Sequence, residues 1–467
     1  MTDQSIEHLF ITLQEKRERI GLRTVRQRKA VLRRLENSLI AHRQAIRDAM
    51  SAEFSKAQLD TDYSELYQVL SEIRHARRHL KSWAADQPVA TPLVLFGTRS
   101  WVRRESKGVV LIISPWNFPL NLAFVPMALA IAAGNCVMMK PSEFSTSIFK
   151  VMKSIIDDVF TEGEVVIVEG KADIAERLTR LPFDHIMFTG STRVGKLVMA
   201  AAAQNLVPVT LELGGKSPVI IDHTANIDEA VKKIVWGRFF NTGQTCVAPD
   251  LVLVDKKVKA EFVEKIKRAL VQGYGEFPQQ NPDYSRLVSV EKTAEKAAML
   301  AEVRRLGCEE IIGGETEVNT KYCSPTVVIE PHPESRIAKE EAFGPILSVI
   351  GVDDVDSAIV EINRRQRPLT LYIFSKNQKT IHRILSRTRS GSVGINEVVI
   401  QFSHPGLPFG GTGHSGFGRS HGEAGFKELS NVRSILKRSL PYSTSFLAFA
   451  PHTRFRQWVA DMVIKYF

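Results

Sequence analysis

The chain has 467 residues, of which 44% are hydrophobic and 24% charged. At about 150 residues per domain, this length predicts roughly two to three globular domains, and the composition excludes a disordered chain, a mini-scaffold and a collagen-like chain. The formal net charge of +11 is compatible with a nucleic-acid partner, an anionic membrane surface or solubility alone.

The cysteines and the N-terminus bear on redox state and location. Cys136, Cys246, Cys308 and Cys323 are far apart, and no two have a metal-ligand spacing such as C-x-x-C. We therefore expect no disulfide framework, no metal site and a reducing compartment. The initial sequence MTDQSIEHLF lacks the basic and apolar regions of a signal peptide, which predicts a cytoplasmic location.

Residues 5–84 are predicted to be mostly helical from their apolar periodicity. Within them, residues 16–34 carry nine basic side chains and one acid, Glu18. This segment is either a solvated helix face or a surface that binds polyanions. No zinc finger, helix-turn-helix or RNA-binding signature accompanies it, so no nucleic-acid partner is expected. From about residue 88 to 104 Pro, Thr, Val, Gly and aromatic residues dominate, which predicts a hairpin arm.

Residues 108–139 contain no charged side chain, but Pro115, Pro119 and Pro126 argue against a membrane span because they would leave unpaired backbone groups in lipid. From here apolar runs alternate with helical segments. The predicted strands are 109–113, 136–139, 165–168 and 185–188, and the predicted helices are 118–133, 174–181 and 194–204. This alternation predicts βαβ units, a doubly wound parallel sheet and a nucleotide site at the carboxyl ends of its strands.

A second alternating region extends from residue 213 to about 395, and no internal repeat or low-complexity tract interrupts it. Its predicted strands are 219–221, 251–254, 327–329, 346–350 and 371–374. The expected fold class is therefore α/β, with two doubly wound α/β domains.

Two residues have unusual contexts. Cys246 ends the polar turn NTGQTC, where backbone N–H groups could stabilise a thiolate; a buried, inert cysteine is the alternative. Glu212 is a lone carboxylate in the apolar segment VTLELGG, where burial would raise its pKa toward that of a general base; a strand-end acid facing water is the alternative. The loop TGSTRVG, residues 189–195, follows a strand and begins a helix as nucleotide loops do, although it is not G-x-G-x-x-G.

Seven segments, taken together and in order, resemble the motif series of the aldehyde dehydrogenase superfamily. They are SPWNFP at 114–119, KPSE at 140–143, FTGST at 188–192, LELGGKSP at 211–218, GQTC at 243–246, EEAFGP at 340–345 and LPFGG at 407–411. The resemblance covers about residues 10–437. The VAPD after Cys246, the missing N-terminal extension of classes 1 and 2, and RPLTLYIFS at 367–375 resemble the class 3 branch. NLVPVTLELGG at 205–215 is most similar to bacterial coniferyl aldehyde dehydrogenases.

The resemblance implies an enzyme that oxidises an aldehyde to the carboxylic acid with NAD or, since class 3 enzymes often accept it as well, with NADP. Cys246 is then the nucleophile, Asn117 and the Cys246 backbone N–H are the oxyanion donors, and Glu212 is the base for hydrolysis of the thioester. The implied cofactor contacts are Lys140 and Glu143 at the adenosine ribose, Gly190 and Ser191 at the pyrophosphate, Glu341 at the nicotinamide ribose, and Phe343 and Trp116 near the nicotinamide. By itself Glu341 would be a surface acid beside Glu340.

The expected substrate is an aromatic, coniferyl-type aldehyde or a medium- to long-chain aldehyde. Phe118, Trp236, Phe240 and Phe402 lie close in sequence to the catalytic motifs and could line an apolar tunnel, with core packing as the alternative. Competing hypotheses are a long-chain fatty aldehyde dehydrogenase at a membrane surface and a CoA-acylating semialdehyde dehydrogenase. A catalytically idle relative or a polyanion-binding protein is the non-enzyme alternative.

The predicted domains are a cofactor-binding domain, 1–211, with its arm at about 90–105, and a catalytic domain, 212–398. Residues 399–439 return to the cofactor domain with a bridging strand near 432–437, and the class 3 resemblance implies a homodimer bridged there. Residues 440–467 form a tail whose apolar positions have helical spacing: Phe455, Trp458, Val459, Met462, Val463 and Tyr466. This amphipathic helix packs on its own subunit or a partner, or contacts a membrane surface.

Overall fold

The computed structural model describes residues 3–441 and 444–466. The α-helices are α1 (Asp3–Gly21), α2 (Val25–Ala41), α3 (Arg43–Phe54), α4 (Gln58–Thr61), α5 (Tyr67–Trp83), α6 (Asn121–Ala133), α7 (Thr146–Val159), α8 (Ala172–Thr179), α9 (Thr192–Ala203), α10 (Ile227–Phe239), α11 (Lys256–Tyr274), α12 (Val290–Leu306), α13 (Arg336–Lys339), α14 (Val355–Asn363), α15 (Gln378–Arg387), α16 (Gly422–Glu428) and α17 (Arg454–Tyr466). A π-helical turn, Asp62–Leu66, joins α4 to α5.

The strands follow the predicted alternation with helices. They are β1 (Gln87–Val89), β2 (Thr98–Ser106), β3 (Val109–Ile113), β4 (Cys136–Lys140), β5 (Val165–Ile167), β6 (His185–Gly190), β7 (Val209–Leu213), β8 (Pro218–Ile221), β9 (Leu251–Asp255), β10 (Glu310–Ile312), β11 (Thr316–Glu317), β12 (Tyr322–Cys323), β13 (Thr326–Ile329), β14 (Ile346–Val352), β15 (Thr370–Phe374), β16 (Ser392–Ile395), β17 (Gly416–Phe417) and β18 (Ser430–Arg438).

The first sheet has the order β17-β7-β6-β3-β4-β5, parallel except for β17 at its edge. Both faces of β3 are buried: Val110 and Ile112 pack beneath α2, α5, α6 and α7, and Leu111 packs beneath α1, α8 and α9. The chain runs from β3 outward to β5 and then returns to β6 on the other side of β3. The carboxyl ends of β3 and β6 therefore form the switch point where such sheets bind ligands.

The second sheet has the order β10-β13-β14-β9-β8-β15-β16, parallel except for the β10–β13 pair. Helices α10 and α11 cover one face, and α14 and α15 cover the other. The predicted α/β fold with two doubly wound domains is thus confirmed. The predicted boundary between residues 211 and 212 falls inside β7, so Glu212 lies on the first sheet. The strand β17, from the segment that returns after residue 399, pairs with β7 at Glu212.

The predicted arm forms a separate sheet, in which β2 pairs with β1 on one side and with β18 on the other. The pairing of β2 with β18 spans residues 98–106 and 430–438. One difference from the sequence prediction lies at the start of α6, which begins at Asn121 rather than at residue 118. The buried carboxylate of Glu65 accepts the Asn121 backbone N–H at 2.8 Å, and this contact fixes the helix start.

The basic segment near the N-terminus makes contacts within the chain. Arg23 pairs with Glu162 and Glu164, each at 2.8 Å, and Arg19 pairs with Glu162. The guanidinium of Arg28 donates hydrogen bonds to three backbone carbonyl groups, those of Gly21, Arg23 and Ala132. Part of this charge therefore holds α1 and α2 to the first domain.

The tail forms α17, as its periodicity predicts. Phe455, Trp458, Met462 and Tyr466 are exposed, and Val459 is half-buried. Within residues 3–441 and 444–466, no helix is long and apolar enough to cross a membrane.

Candidate active site

Cys246 lies in a rigid, buried turn after α10. Asn241 and Thr242 adopt positive φ angles of 51° and 53°, and Gly243 follows at 70°. A Cβ at Gly243 would collide with the carbonyl of Gly344, so only glycine fits there. The Gln244 amide then anchors the turn, accepting the Val288 N–H at 2.9 Å and donating to the Asn241 carbonyl at 3.1 Å.

Asn117 is hydrogen-bonded to this turn. It follows β3, is buried, and donates its side-chain amide to the Gln244 carbonyl at 2.9 Å. In return, the Asn241 side chain donates to the Asn117 carbonyl at 3.0 Å. The loop after the first parallel strand and the cysteine turn are thereby joined, 127 residues apart in sequence.

Glu212 is 5% exposed, on β7. Burial raises the pKa of its carboxyl to about 8, against the opposing effect of a hydrogen bond from Ser420 Oγ to Oε1 at 3.1 Å. Its other oxygen, Oε2, is buried and has no hydrogen-bond partner within the described residues. A buried carboxylate with a pKa near neutrality and one free acceptor atom is suited to general-base chemistry.

The thiol of Cys246 departs from the sequence expectation of a stabilised thiolate. Burial, together with the carboxylates of Glu341 and Glu212, raises the Cys246 pKa to about 12, and the backbone N–H groups of the turn lower it by less. The resting side chain is therefore a protonated thiol at neutral pH. Its proton must leave before the sulfur can attack a carbonyl carbon.

Cys246 faces two cavities. One, of about 330 Å³, is lined by all four predicted aromatic side chains: Phe118, Trp236, Phe240 and Phe402. The second, of about 30 Å³, is also lined by Glu212 and His421. The structure thus brings the predicted nucleophile, the predicted base and the four aromatic residues to two cavities that share Cys246.

The sequence analysis did not identify several contributors to the larger cavity. Tyr63 and Tyr67, at the π-helical turn and the start of α5, also line it. Behind it, the buried Lys56 ammonium lies 4.5 Å from the centre of the Phe118 ring and 3.6 Å from Glu65 Oε1. Only the apolar periodicity of this region was visible in the sequence, because neither the π-helical turn nor the ion pair between Lys56 and Glu65 leaves a recognisable local pattern.

Four of the predicted cofactor residues lie at or just after the carboxyl ends of β4 and β6. Lys140 ends β4, is buried, and lies 3.4 Å from the Glu143 carboxylate. Gly190 ends β6, and Ser191 caps α9 by accepting the Val194 N–H at 3.4 Å. Unpaired N–H groups at such a helix start bind phosphate oxygens.

Glu341 and Phe343 lie in the loop between α13 and β14. A cleft of about 1280 Å³ is lined by Gly214, Gly215 and Glu341 together with Thr192 of α9. Glu341 is buried, its pKa is raised to about 8 by burial, and its Oε2 accepts the Gly215 N–H at 3.2 Å. A Cβ at Gly214 would overlap that carboxylate, so glycine is needed for this approach.

Aromatic and charged contacts fix the loop that carries Glu341. The rings of Trp116 and Phe343 meet edge to face at 5.6 Å. Asp250 accepts the Ala342 N–H at 2.9 Å and pairs with Lys216 at 3.1 Å, and Lys216 also donates to the Glu340 carbonyl. Asp250 and Lys216 were not predicted as site residues, although both lie within the quoted motifs.

A profile of the aldehyde dehydrogenase family matches residues 2–435. The chain belongs to this family. It is 39% identical over 412 residues to 4,4'-diaponeurosporen-aldehyde dehydrogenase of Staphylococcus aureus, covering 88% of this chain and 89% of that protein. It is 40% identical over 409 residues to the mouse "aldehyde dehydrogenase, dimeric NADP-preferring", again covering 88% and 89%.

A third relative is rat aldehyde dehydrogenase family 3 member A2, 39% identical over 421 residues, with 90% of this chain and 86% of that protein covered. Among solved structures, the substrate-bound state of Staphylococcus aureus AldH has a TM-score of 0.93 at 36% identity and covers 98% of this chain and 99% of that one. This aldehyde dehydrogenase therefore has class 3 relatives, as predicted, and is an NAD(P)-dependent enzyme. The finer likeness to coniferyl aldehyde dehydrogenases stays a prediction.

Proposed function

We propose that this enzyme oxidises large apolar aldehydes, either aromatic and coniferyl-like or medium- to long-chain, to carboxylic acids. The observation that carries the proposal is the position of Cys246 between an aromatic pocket and a small cavity that contains Glu212. The pocket's about 330 Å³ lies within the range of small-molecule sites, and its aromatic walls favour burial of a ring or an alkyl chain. A short hydrophilic aldehyde would leave most of this surface uncovered.

The proposed reaction begins with loss of the Cys246 proton to a base. Glu212 and Glu341 both influence the thiol electrostatically, and the raised pKa of each carboxyl suits it to accept a proton near neutral pH. The sulfur then attacks the aldehyde carbon and forms a thiohemiacetal. Asn117 Nδ2 and the Cys246 backbone N–H stabilise its oxyanion; one such donor is typically worth about 2.7 to 4 kcal/mol.

When bound, NAD or NADP supplies the hydride acceptor. We assign Lys140 and Glu143 to the adenosine ribose, Gly190 and Ser191 to the pyrophosphate, Glu341 to the nicotinamide ribose, and Phe343 and Trp116 to the nicotinamide surroundings. The capped start of α9 and the glycine-dependent approach of Glu341 fit a dinucleotide. The Glu143 carboxylate would repel a 2'-phosphate, which favours NAD while leaving NADP possible.

Glu212 completes the proposed cycle. Cys246 carries the acyl group as a thioester, and Glu212 removes a proton from the water that releases the acid. This role distinguishes the enzyme from the CoA-acylating alternative, in which a thiol replaces water. The buried position of Glu212 supports a base whose pKa has been raised by burial.

The decisive experiment is a panel of aldehydes assayed with NAD and with NADP through the absorbance of the reduced cofactor. We expect a millimolar or weaker KM for acetaldehyde and a higher kcat/KM for hexanal, decanal and an aromatic aldehyde. A higher kcat/KM for acetaldehyde would refute the proposed substrate class. Unchanged activity in Cys246→Ala would refute the mechanism, and no turnover on any aldehyde would favour the idle-relative hypothesis.

The arm supports a homodimer. Val432 and Leu436, both more than half exposed, lie on β18 at the edge of the arm sheet. An unpaired strand edge with apolar side chains is suited to association with a second copy. Light scattering of the purified protein is expected to give twice the chain mass of 52.3 kDa.

A second candidate function places the enzyme at a membrane surface through α17. Its exposed Phe455, Trp458 and Met462 form one face, and basic residues lie near its ends at Arg454 and Lys465. Such helices lie in the interface of anionic bilayers. Co-sedimentation with anionic liposomes should be lost when the chain is truncated after Ser439, and equal sedimentation of both forms would refute this role. Gel shifts at moderate salt test the polyanion hypothesis for residues 16–34.

A further inference from the structure

The small cavity behind Cys246 contains a polar cluster that the proposed mechanism has not used. Its volume of about 30 Å³ accommodates one or two water molecules, at roughly 10–15 Å³ each. Besides Cys246 and Glu212, its lining includes Ser420 and His421, which come from the segment between β17 and α16. These two residues lie 208 and 209 positions after Glu212.

The hydrogen bonds among Glu212, Ser420 and His421 have a definite donor and acceptor sequence. Ser420 Oγ lies 3.1 Å from Glu212 Oε1 and 3.1 Å from His421 Nδ1. In its ionised form, which is the form that acts as a base, the Glu212 carboxylate only accepts hydrogen bonds, so the Ser420 hydroxyl hydrogen points to it at 3.1 Å rather than to the Phe409 carbonyl at 3.4 Å. Ser420 Oγ must then accept from His421, whose ring hydrogen is on Nδ1.

The imidazole of His421 suits this arrangement because it remains neutral. Its burial lowers the His421 pKa to about 4, so a single ring hydrogen is present at physiological pH. The rings of Phe402 and Phe409 meet the imidazole edge to face at 4.7 and 5.4 Å and hold its orientation. His421 thus donates in a fixed direction without adding a positive charge beside Glu212.

We propose that Ser420 and His421 are positioning residues for the hydrolytic step, which hold Glu212 Oε1 so that Oε2 meets the water beside Cys246. This inference rests on the proposed role of Glu212 as the base. It accounts for Oε2, which is buried and lacks a hydrogen-bond partner in the described part of the chain. Only the oxygen that the serine leaves unoccupied is available to take the proton of water.

The backbone around His421 supports a functional role. His421 has a φ angle of 67°, which L-residues rarely adopt, and the neighbouring groups maintain it. Ser420 pairs with Phe409 through two backbone hydrogen bonds of 2.7 and 3.0 Å, and the buried Glu72 carboxylate accepts the Gly422 N–H at 2.9 Å. Strain of this kind persists where the surroundings over-determine a conformation, and it is concentrated at functional sites.

The charged neighbours define the expected pH response. Burial has the largest effect on the Glu212 pKa and raises it. The Ser420 hydrogen bond and the charge of Arg419 lower this pKa, and the charge of Glu428 raises it. On the α5 side, Glu72 binds the Gly422 N–H and the His75 ring lies beside Gly422. Removal of the Ser420 hydroxyl leaves the other groups in place, so it should raise the Glu212 pKa further.

The test uses p-nitrophenyl acetate and the full-length enzyme without NAD or NADP. The ester acylates Cys246, so a burst of nitrophenolate reports acylation and the subsequent steady state reports hydrolysis. We expect Ser420→Ala and His421→Ala to keep the burst but slow hydrolysis about tenfold, with the acid limb of its pH profile moved to higher pH. His421→Asn, whose amide can replace the Nδ1 donor, should hydrolyse within about twofold of the unmodified enzyme.

The hydrolysis rate is divided by the amount of acylated enzyme, which the burst amplitude gives. Misfolded or inactive molecules therefore do not lower the measured rate. Unchanged hydrolysis in both alanine variants, or a His421→Asn enzyme as slow as His421→Ala, would overturn the positioning role. Failure of the underlying mechanism has a different signature. In that case the unmodified enzyme shows no burst, Cys246→Ala retains one, or Glu212→Gln hydrolyses normally.

Discussion

The two cavities that meet at Cys246 differ in size and chemistry. The front pocket is about 330 Å³ and has aromatic walls, whereas the rear cavity is about 30 Å³ and contains Glu212, Ser420 and His421. Apolar burial selects a substrate by its size and shape, but it acts equally on the ground state and the transition state. The hydrogen bonds in the rear cavity, in contrast, affect one step only, the proposed proton transfer from water to Glu212. The aromatic front pocket should therefore determine which aldehyde reacts, and the small rear cavity should determine how fast any acyl group is hydrolysed from Cys246.

The largest effect is expected from removing the base at the rear. Glu212→Gln keeps the shape of the side chain but cannot accept a proton, so turnover should fall by about 10²- to 10⁴-fold. The loss should be similar for acetaldehyde and hexanal, while the first turnover of cofactor reduction persists because Glu341 can still accept the Cys246 proton. Steady-state and stopped-flow assays on both aldehydes measure this. A loss confined to one aldehyde would contradict the division between the cavities.

Asn117 is hydrogen-bonded to the turn that carries Cys246, the residue shared by the two cavities. Asn117→Ala removes an oxyanion donor and should slow acylation by about 10²- to 10³-fold. The same side chain anchors the cysteine turn through the Gln244 carbonyl, so a fall in Tm should accompany the kinetic loss. Stopped-flow acylation and thermal unfolding measure the two effects separately. Normal acylation in a variant with a lower Tm would reduce Asn117 to a structural role.

Acidity should affect the rear cavity more than the front. The Glu212 pKa is raised to about 8, so the carboxylate is protonated below that pH and the base is lost as pH falls. Hydrolysis of the acyl-enzyme should rise about tenfold per pH unit up to roughly pH 8, and should be about 100-fold slower at pH 6 than at the plateau. A pH profile of steady-state ester hydrolysis measures it. Glu212→Gln should abolish this pH-dependent rise in the hydrolysis rate. If the rise persists in Glu212→Gln, the group that titrates is not Glu212.

The smallest effect is expected at the front pocket. Trp236→Ala removes aromatic wall area and should lower kcat/KM about tenfold for an aromatic or medium-chain aldehyde. Acetaldehyde, which reaches less of the wall, should change less than about twofold. Phe277→Ala is the matched control, because Phe277 is exposed and does not line the pocket. An equal loss for both aldehydes would mean that Trp236 supports the fold rather than selects substrate.

The same two regions show what the sequence could predict. Local patterns predicted the strands at 109–113 and 185–188, which precede Trp116 and Gly190, because apolar runs between helices specify a parallel sheet and its carboxyl edge. The Gly-containing turn before Cys246 was also visible, since Gly243 is required by a positive φ and a close backbone contact. The four aromatic residues near these motifs line one pocket, although core packing was an equal alternative from sequence.

Features that depend on distant contacts were not visible. Ser420 meets Glu212 across 208 residues, and Tyr63 enters the pocket through a π-helical turn that no periodicity indicates. The thiol also differs from expectation. The turn's backbone N–H groups suggested a thiolate, but the sequence does not show that Glu341 and Glu212 act on the same sulfur. The Cys246 pKa depends on charges from three separate segments of the chain, so it can be worked out only from the folded structure.

The pairing of β17 with β7 has a consequence for synthesis of the chain. Glu212 is made before the halfway point, yet the strand that covers its edge and the serine that binds it arrive more than 200 residues later. A ribosome-bound or prematurely terminated chain can therefore fold the first parallel strands without assembling a competent hydrolytic centre. Chemistry at the reactive sulfur is completed only once nearly the whole polypeptide has been translated, because release of the acyl group needs residues from both halves of the chain.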